Sequence, residues 1–234
     1  MQFFVGTSGY NYKEWKGSFY PSKFPAKEML GFYAQHFSTV EMNNTFYKMP
    51  TVEGAEAWAA QVPDTFRFVL KAPQMITHRK RLKNVDDDLA AFVRAAEALG
   101  DRLGPLLFQL PPNLKKDLPR LEAFLELLRG GPRAALEFRH ESWFSDDVYD
   151  CLRANACALC VADADDLPPA ALVETARWGY LRLRRDDYTP AILGKWLKRV
   201  RAQKWSEAYI LFRHEDTAAG PAFAKQLLKH IGGE

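Results

Sequence analysis

The sequence predicts an α/β fold: a single (β/α)8 barrel of the TIM type, with residues 1–234 forming one domain. Three observations predict it. Eight short apolar segments alternate with helical patterns along the whole chain, the signature of parallel strands joined by crossover helices. Those segments are rich in β-branched and large apolar residues, as strands covered on both faces are. No linker or composition break divides the 234 residues, and eight units in that length suffice for one closed barrel. An open doubly wound sheet is the alternative. It usually has fewer units and a Gly-rich first turn, and Gly6-Thr7-Ser8-Gly9 is not the GxGxxG fingerprint.

The first strand is expected at residues 3–9, followed by an aromatic loop over 10–21 and a helix over 25–36. The second strand spans 39–43. A helix over 52–61 follows and ends at Pro63-Asp64. The third strand, 67–73, leads through the basic loop Thr77-His78-Arg79-Lys80-Arg81-Leu82-Lys83 to a helix over 87–99. Pro111-Pro112 stops the fourth strand, 105–110, and leucines at helical spacing mark a helix over 118–128. The fifth strand, 135–140, lies between Gly130-Gly131-Pro132 and Ser142. Ser145-Asp146-Asp147 opens a helix to 154. The sixth strand is 158–163. Leu167-Pro168-Pro169 interrupts the next helical pattern, so an irregular element is expected there. The seventh strand, 179–184, precedes a helix over 190–202, and the eighth, 208–213, precedes one over 221–230.

Composition bounds the function. The hydrophobic share of 47% and charged share of 26% suit a globular core. No apolar run is long enough to span a bilayer. The strand-like start Met1-Gln2-Phe3-Phe4-Val5-Gly6 does not read as a signal peptide, so a cytoplasmic, non-membrane protein is expected. A net charge of +3 permits an anionic ligand without announcing a nucleic-acid binder. Three cysteines do not make a disulfide framework. Cys157-x-x-Cys160 has a redox or zinc spacing, but across a strand its ends face opposite ways and read as packing residues.

Alternation along each strand gives an inward-facing polar set at the C-terminal ends, where barrels of this type build their sites. It comprises Glu41 and Asn43, Lys71, Gln109, Glu137 and Arg139, Asp163, and Arg182 with Arg184. Buried charges need partners, so these residues must pair. Pairing alone, an ionic lattice closing the barrel, is the reading without chemistry. The reading with chemistry gives Glu41, Lys71, Glu137 and Asp163 catalytic roles, because carboxylates in different environments can divide acid and base duties and lysine adds a base or nucleophile. Asn43, Gln109, Arg139, His140, Arg182, Tyr10 and Trp143 are the substrate-binding candidates. Arginine forks suit carboxylate or phosphate. The loop aromatics Tyr10, Trp15, Phe46, Tyr47, Trp143 and Tyr188 suit a sugar ring or a base.

No cofactor motif is present, and no paired histidine spacing supports a metal, although His78, His140 and His214 leave a divalent ion as an option. Thr217-Ala218-Ala219-Gly220-Pro221 precedes the last helix and offers free N–H groups to an anion. The expected function is a hydrolase, lyase or isomerase acting by acid/base chemistry on a small polar or anionic substrate, a sugar or a phosphate-containing molecule. The run Arg79-Lys80-Arg81-Lys83 supports the alternative of a nucleic-acid-binding or metal-dependent nuclease barrel. A third reading is a non-catalytic ligand-binding or interaction protein.

Six ordered motifs also carry a resemblance. They are Gly6-Thr7-Ser8-Gly9-Tyr10, the run from Phe37 to Asn43, the run from Phe66 to Pro73 with Thr77-His78, Phe108-Gln109-Leu110-Pro111-Pro112, Glu137-Phe138-Arg139-His140 with Trp143, and the Asp163 strand. Together they resemble the YecE-like family, a domain of unknown function, over essentially the whole chain. The resemblance implies a TIM-type barrel with no general activity attached. It also implies that Glu41, Asn43, Lys71, Gln109, Glu137, Arg139 and Asp163 are recurring motif residues. One departure is Phe212-Arg213-His214-Glu215, where the family usually carries an asparagine-rich stretch.

Overall fold

A computed structural model describes residues 1–164, 171–214 and 218–233. Eight strands form a closed, all-parallel barrel: β1 (Gln2–Ser8), β2 (Thr39–Met42), β3 (Arg67–Lys71), β4 (Leu103–Gln109), β5 (Ala134–Glu137), β6 (Ala158–Asp163), β7 (Trp178–Leu183) and β8 (Glu207–Phe212). Each pairs with the next, and β8 returns to β1 with Phe4 opposite Tyr209. The helices are α1 (Met29–Ala34), α2 (Asn44–Tyr47), α3 (Val52–Ala59), α4 (Asp86–Glu97), α5 (Leu118–Leu127), α6 (Asp146–Ala154), α7 (Pro190–Arg201) and α8 (Ala219–Gly232). The predicted (β/α)8 architecture is therefore present. Among the described residues no helix lies between β6 and β7; Leu167-Pro168-Pro169 lies outside them.

Local chemistry sets the boundaries. Thr51, Asp117 and Thr189 cap α3, α5 and α7 by accepting from Gly54 N, Arg120 N and Ile192 N, and prolines stand in the first turns of α5 and α7. Three aspartates in the first turn of α4 complement its dipole. β4 starts at Leu103, two residues earlier than predicted, and so adds Leu103 and Gly104 to the strand. The β3–β4 register shifts between Phe68 and Leu70, so one extra residue of β4 is absorbed at Gly104-Pro105, where a proline needs no ladder bond. A Cβ at Gly104 would meet the Phe68 carbonyl oxygen at 2.9 Å, so a side chain there is blocked. β5 ends at Glu137, which leaves Arg139 and His140 in the following loop.

The predicted basic loop opens as one turn of π-helix (Met75–Arg79). It continues through Arg81, Leu82 and Asn84 at positive φ, with Leu82 buried as the anchor. Strained non-glycine turns and π-turns concentrate near functional sites.

The barrel has two interiors. Its lower part is apolar and aromatic: Phe4, Val69, Leu107, Ala135, Ala158, Cys160, Trp178, Tyr180, Tyr209 and Leu211 pack together. Tyr209 stacks on Phe4 at 4.6 Å and meets Trp178 edge-on at 6.1 Å. Above this plug, toward the C-terminal ends of the strands, the interior becomes ionic.

Candidate functional site

The ionic layer is built around one guanidinium. Arg182 near the end of β7 is fully buried and donates from Nη2 to Glu41 Oε1 at 2.7 Å and from Nη1 to Glu137 Oε2 at 2.6 Å. It thereby joins carboxylates from β2 and β5 across the barrel. Glu41 Oε2 also accepts from the Tyr180 hydroxyl at 2.6 Å. Glu137 Oε1 accepts from Gln109 Nε2 at 2.7 Å and from Arg139 Nε and Nη2 at 3.0 Å, with Arg184 Nη1 at 3.6 Å. Three guanidiniums (Arg139, Arg182 and Arg184) thus face two carboxylates (Glu41 and Glu137), an excess of positive charge.

Burial pushes both carboxyls up, but their partners together outweigh it and hold both below the usual range: Arg182, the Tyr180 hydroxyl and Lys71 for Glu41, and Arg182, Arg139 and Arg184 for Glu137, which lies far below. Both are therefore ionised at neutral pH and do not serve as proton donors. The Arg184 guanidinium is itself lowered to about 10 by burial and by Arg182 beside it, which expresses the crowding of cations.

Lys71, at the end of β3, lies near this layer without joining it. Among the described residues its Nζ makes no ion pair or hydrogen bond. It sits 4.1 Å from the centre of the Phe46 ring with the residue 8% exposed. Burial, then Arg182, lowers its pKa to about 7 against the opposing pull of Glu41 and Glu137. It is the one site amine poised between its two charge states at neutral pH.

A cavity of about 250 Å³ opens onto Lys71, walled by Tyr10, Tyr12, Asn43, Asn44, Tyr47 and Arg213. Gly9 turns at its rim with φ +85, a backbone conformation that favours glycine. Asn43 Oδ1 is buried without a hydrogen-bond partner among the described residues. His78 lies on the π-turn. Its ring packs edge-on against Phe46 at 4.9 Å, and Nδ1 is 2.9 Å from Thr77 Oγ1. Burial, then Lys71, lowers its pKa, so the ring is neutral at pH 7.

A model for the family described as "Protein of unknown function DUF72" matches residues 4–234. The chain belongs to that family. Among its relatives, the protein YecE of Escherichia coli (strain K12) is 37% identical over 114 residues, 48% of this chain and 42% of YecE, so the match spans less than half of that relative's length. YunF of Bacillus subtilis (strain 168) is 26% identical over 230 residues, 90% of this chain and 78% of YunF. A DUF72 family crystal structure from Thermotoga maritima superposes with TM-score 0.84 at 27% identity and covers 100% of both chains. One from Enterococcus faecalis has TM-score 0.79 at 16% identity, covering 100% of this chain and 96% of the other, and shows the fold alone.

Within this DUF72 barrel, Glu41, Gln109, Glu137, Arg139 and Arg182 come together, and Lys71, Asn43 and Tyr10 meet at the cavity. Three predicted residues stand elsewhere. Asp163 does not face inward. Its neighbours on alternate positions, Leu159 and Val161, pack toward the helices, while Cys160 faces the interior. Asp163 Oδ2 accepts from Tyr188 OH at 2.7 Å and from Trp196 Nε1 at 3.2 Å. Trp143 is fully buried, stacked on Phe138 at 4.7 Å, with its indole donating to Leu114 O at 2.7 Å. His140 Nδ1 caps the turn after β5, accepting from Ser142 N at 3.2 Å. Neither Tyr180 nor Arg213 stands among the predicted site residues, although Arg213 marks the departure from the family pattern. Tyr180 shares the inward face of β7 with Arg182, and Arg213 follows the inward Tyr209 and Leu211 by the same alternation, so the signal was present for both.

Cys157 and Cys160 fall on opposite faces and are free thiols. Among the described residues no three His, Cys, Asp or Glu side chains cluster to hold a metal ion. No helix among them is long and apolar enough to cross a membrane.

Proposed function

We propose that the barrel mouth is the active site of an enzyme for a small polar, anionic substrate, with Lys71 as the group that gives and takes the proton. The supporting observation is the unpaired Lys71 amine at a cavity beside two carboxylates already committed to arginine. A lysine in that position is buried at a cost unless it changes charge state during work, and it does so near neutral pH. Arg139 and Arg184 supply the forks for a carboxylate or phosphate on the substrate. The fixed Glu41–Arg182–Glu137 frame costs no reorganisation when charge moves, which favours proton transfer of the lyase or isomerase kind. Asp163, His140 and Trp143 are left out of this reading because each is engaged away from the cavity.

The test is thermal melting at constant ionic strength with phosphate, sulfate, small carboxylates and sugar phosphates. One of these is expected to raise the melting temperature of the native chain, since a ligand at ten times its Kd stabilises by about 1.4 kcal/mol. Arg139→Ala should lose that gain. A melting temperature unmoved by the whole panel overturns the reading.

A further inference from the structure

We infer that Lys71 is a covalent lysine: its amine attacks the carbonyl carbon of a small aldehyde or ketone that also carries an anionic group, and forms an imine with it. The inference rests on the anionic-substrate reading above and names the reacting group of that substrate.

Three features of the geometry support it. The first is a free lone pair. A lysine beside two glutamates is ordinarily fixed as an ammonium by pairing. Here Glu41 and Glu137 are both taken by Arg182, and the Lys71 Nζ has no polar partner among the described residues. With its pKa near 7, about half of the amine is free at neutral pH, whereas an exposed lysine near 10.4 keeps only about one part in 2,500 free. The second is space and a waiting acceptor. The cavity that reaches Lys71 is also walled by Asn43, whose buried Oδ1 lacks a donor among the described residues. A hydroxyl on the adduct carbon would supply one. The third is the substrate's own charge: burial and Arg182 disfavour a cation at Nζ, and the anionic group that the substrate carries offsets this in the iminium.

The step balances without an added oxidant or reductant. The neutral amine adds to the carbonyl carbon, and the C=O π pair moves to oxygen. Nitrogen gives up a proton and oxygen gains one, which yields a carbinolamine. A second proton on that oxygen lets it leave as water while the nitrogen lone pair forms C=N. One carbonyl, one amine and one proton taken from solvent thus become one iminium and one water. His78, packed on the same Phe46 ring as Lys71 and held through Nδ1 by Thr77, has Nε2 left to carry these protons.

The experiment treats the full chain at pH 7 with glyoxylate, pyruvate or dihydroxyacetone phosphate in the presence of sodium cyanoborohydride. Hydride converts any iminium to a stable secondary amine, and peptide mass mapping locates it. The expected result is one adduct per chain on Lys71, formed at least about tenfold faster than on an exposed lysine such as Lys13 and absent in Lys71→Met. Adducts spread over exposed lysines with Lys71 unmodified would overturn the inference, and the native protein gives that answer even if Lys71→Met folds poorly. The melting assay separates the two readings. An anion-induced rise without a Lys71 adduct keeps the anion site and removes the imine. Neither rise nor adduct removes both.

Discussion

Arg182 is the residue on which the upper barrel depends. It is wholly buried between two wholly buried carboxylates, and only the mutual pairing offsets the desolvation of all three. Tyr180 and Gln109 satisfy the remaining carboxylate oxygens, so the frame has few ways to relax. Replacing Glu137 by glutamine keeps the shape and removes the charge that Arg139, Arg182 and Arg184 share. One oxygen becomes an amide nitrogen facing a guanidinium. Breaking one side of a buried ionic network typically costs about 3–5 kcal/mol. At about 2–4 °C per kcal/mol for a chain of this size, Glu137→Gln should lower the melting temperature by about 6–20 °C. A differential scanning measurement showing a fall below about 2 °C would mean that the three arginines find water or other partners instead.

At the scale of the element, the strand pattern was legible wherever a strand carries a charge on one face only. The facing of β2, β5 and β7 reads correctly, although β5 stops at Glu137 and not at 140, because Glu41, Glu137 and Arg182 each alternate with apolar residues that pack toward the helices. β6 has no such contrast. Ala158-Leu159-Cys160-Val161-Ala162 is apolar on both faces, so periodicity carries no phase, and the alternation that placed Asp163 inward took the wrong one. What decides its direction is tertiary: Tyr188 and Trp196 supply donors on the helix side. The loops were less legible still, because alternation stops where a strand stops. The indole of Trp143 goes to Leu114 O, and His140 caps its own turn; neither contact is written in spacing. Asp163 therefore ties β6 to α7 and to the segment that precedes it. Asp163→Ala removes two hydrogen bonds to a carboxylate and should cost about 2–4 kcal/mol. It should leave Lys71 labelling unchanged, since the side chain faces away from the mouth. Urea unfolding and the cyanoborohydride assay on the same variant check both halves, and a large loss of labelling would show that α7 and the mouth are coupled.

For the whole molecule, the division of the barrel into an aromatic base and an ionic mouth makes stability a function of pH, and the signs follow from the groups involved. Glu41 and Glu137 hold their protons less tightly when folded, so their contribution is complete above the unfolded carboxyl range and is lost as pH falls through it. His36, His78 and His214 are also lowered, and their contribution is complete by about pH 7. Lys71 acts later. Unfolded, it keeps its proton up to about pH 10.4, whereas folded it releases it from about 7, so the unfolded state binds more protons across that window and stability rises with pH. Cys151, Cys157, Cys160 and Tyr180 have raised values and contribute the opposite slope as free thiols and phenols ionise, the thiols around pH 8.5. Between pH 7 and 8.5 the difference between the native chain and Lys71→Met isolates Lys71, since both proteins carry the same thiols and phenols. Urea unfolding should show the native chain gaining about 1–2 kcal/mol relative to Lys71→Met across that interval, the linkage expected of one group over that span. Lys71→Met has no ammonium to discharge, so its advantage over the native chain is largest at the acidic end. Equal slopes for the two proteins would mean that the Lys71 amine keeps an ordinary affinity for its proton, and the chemistry assigned to the mouth would then lose its proton carrier.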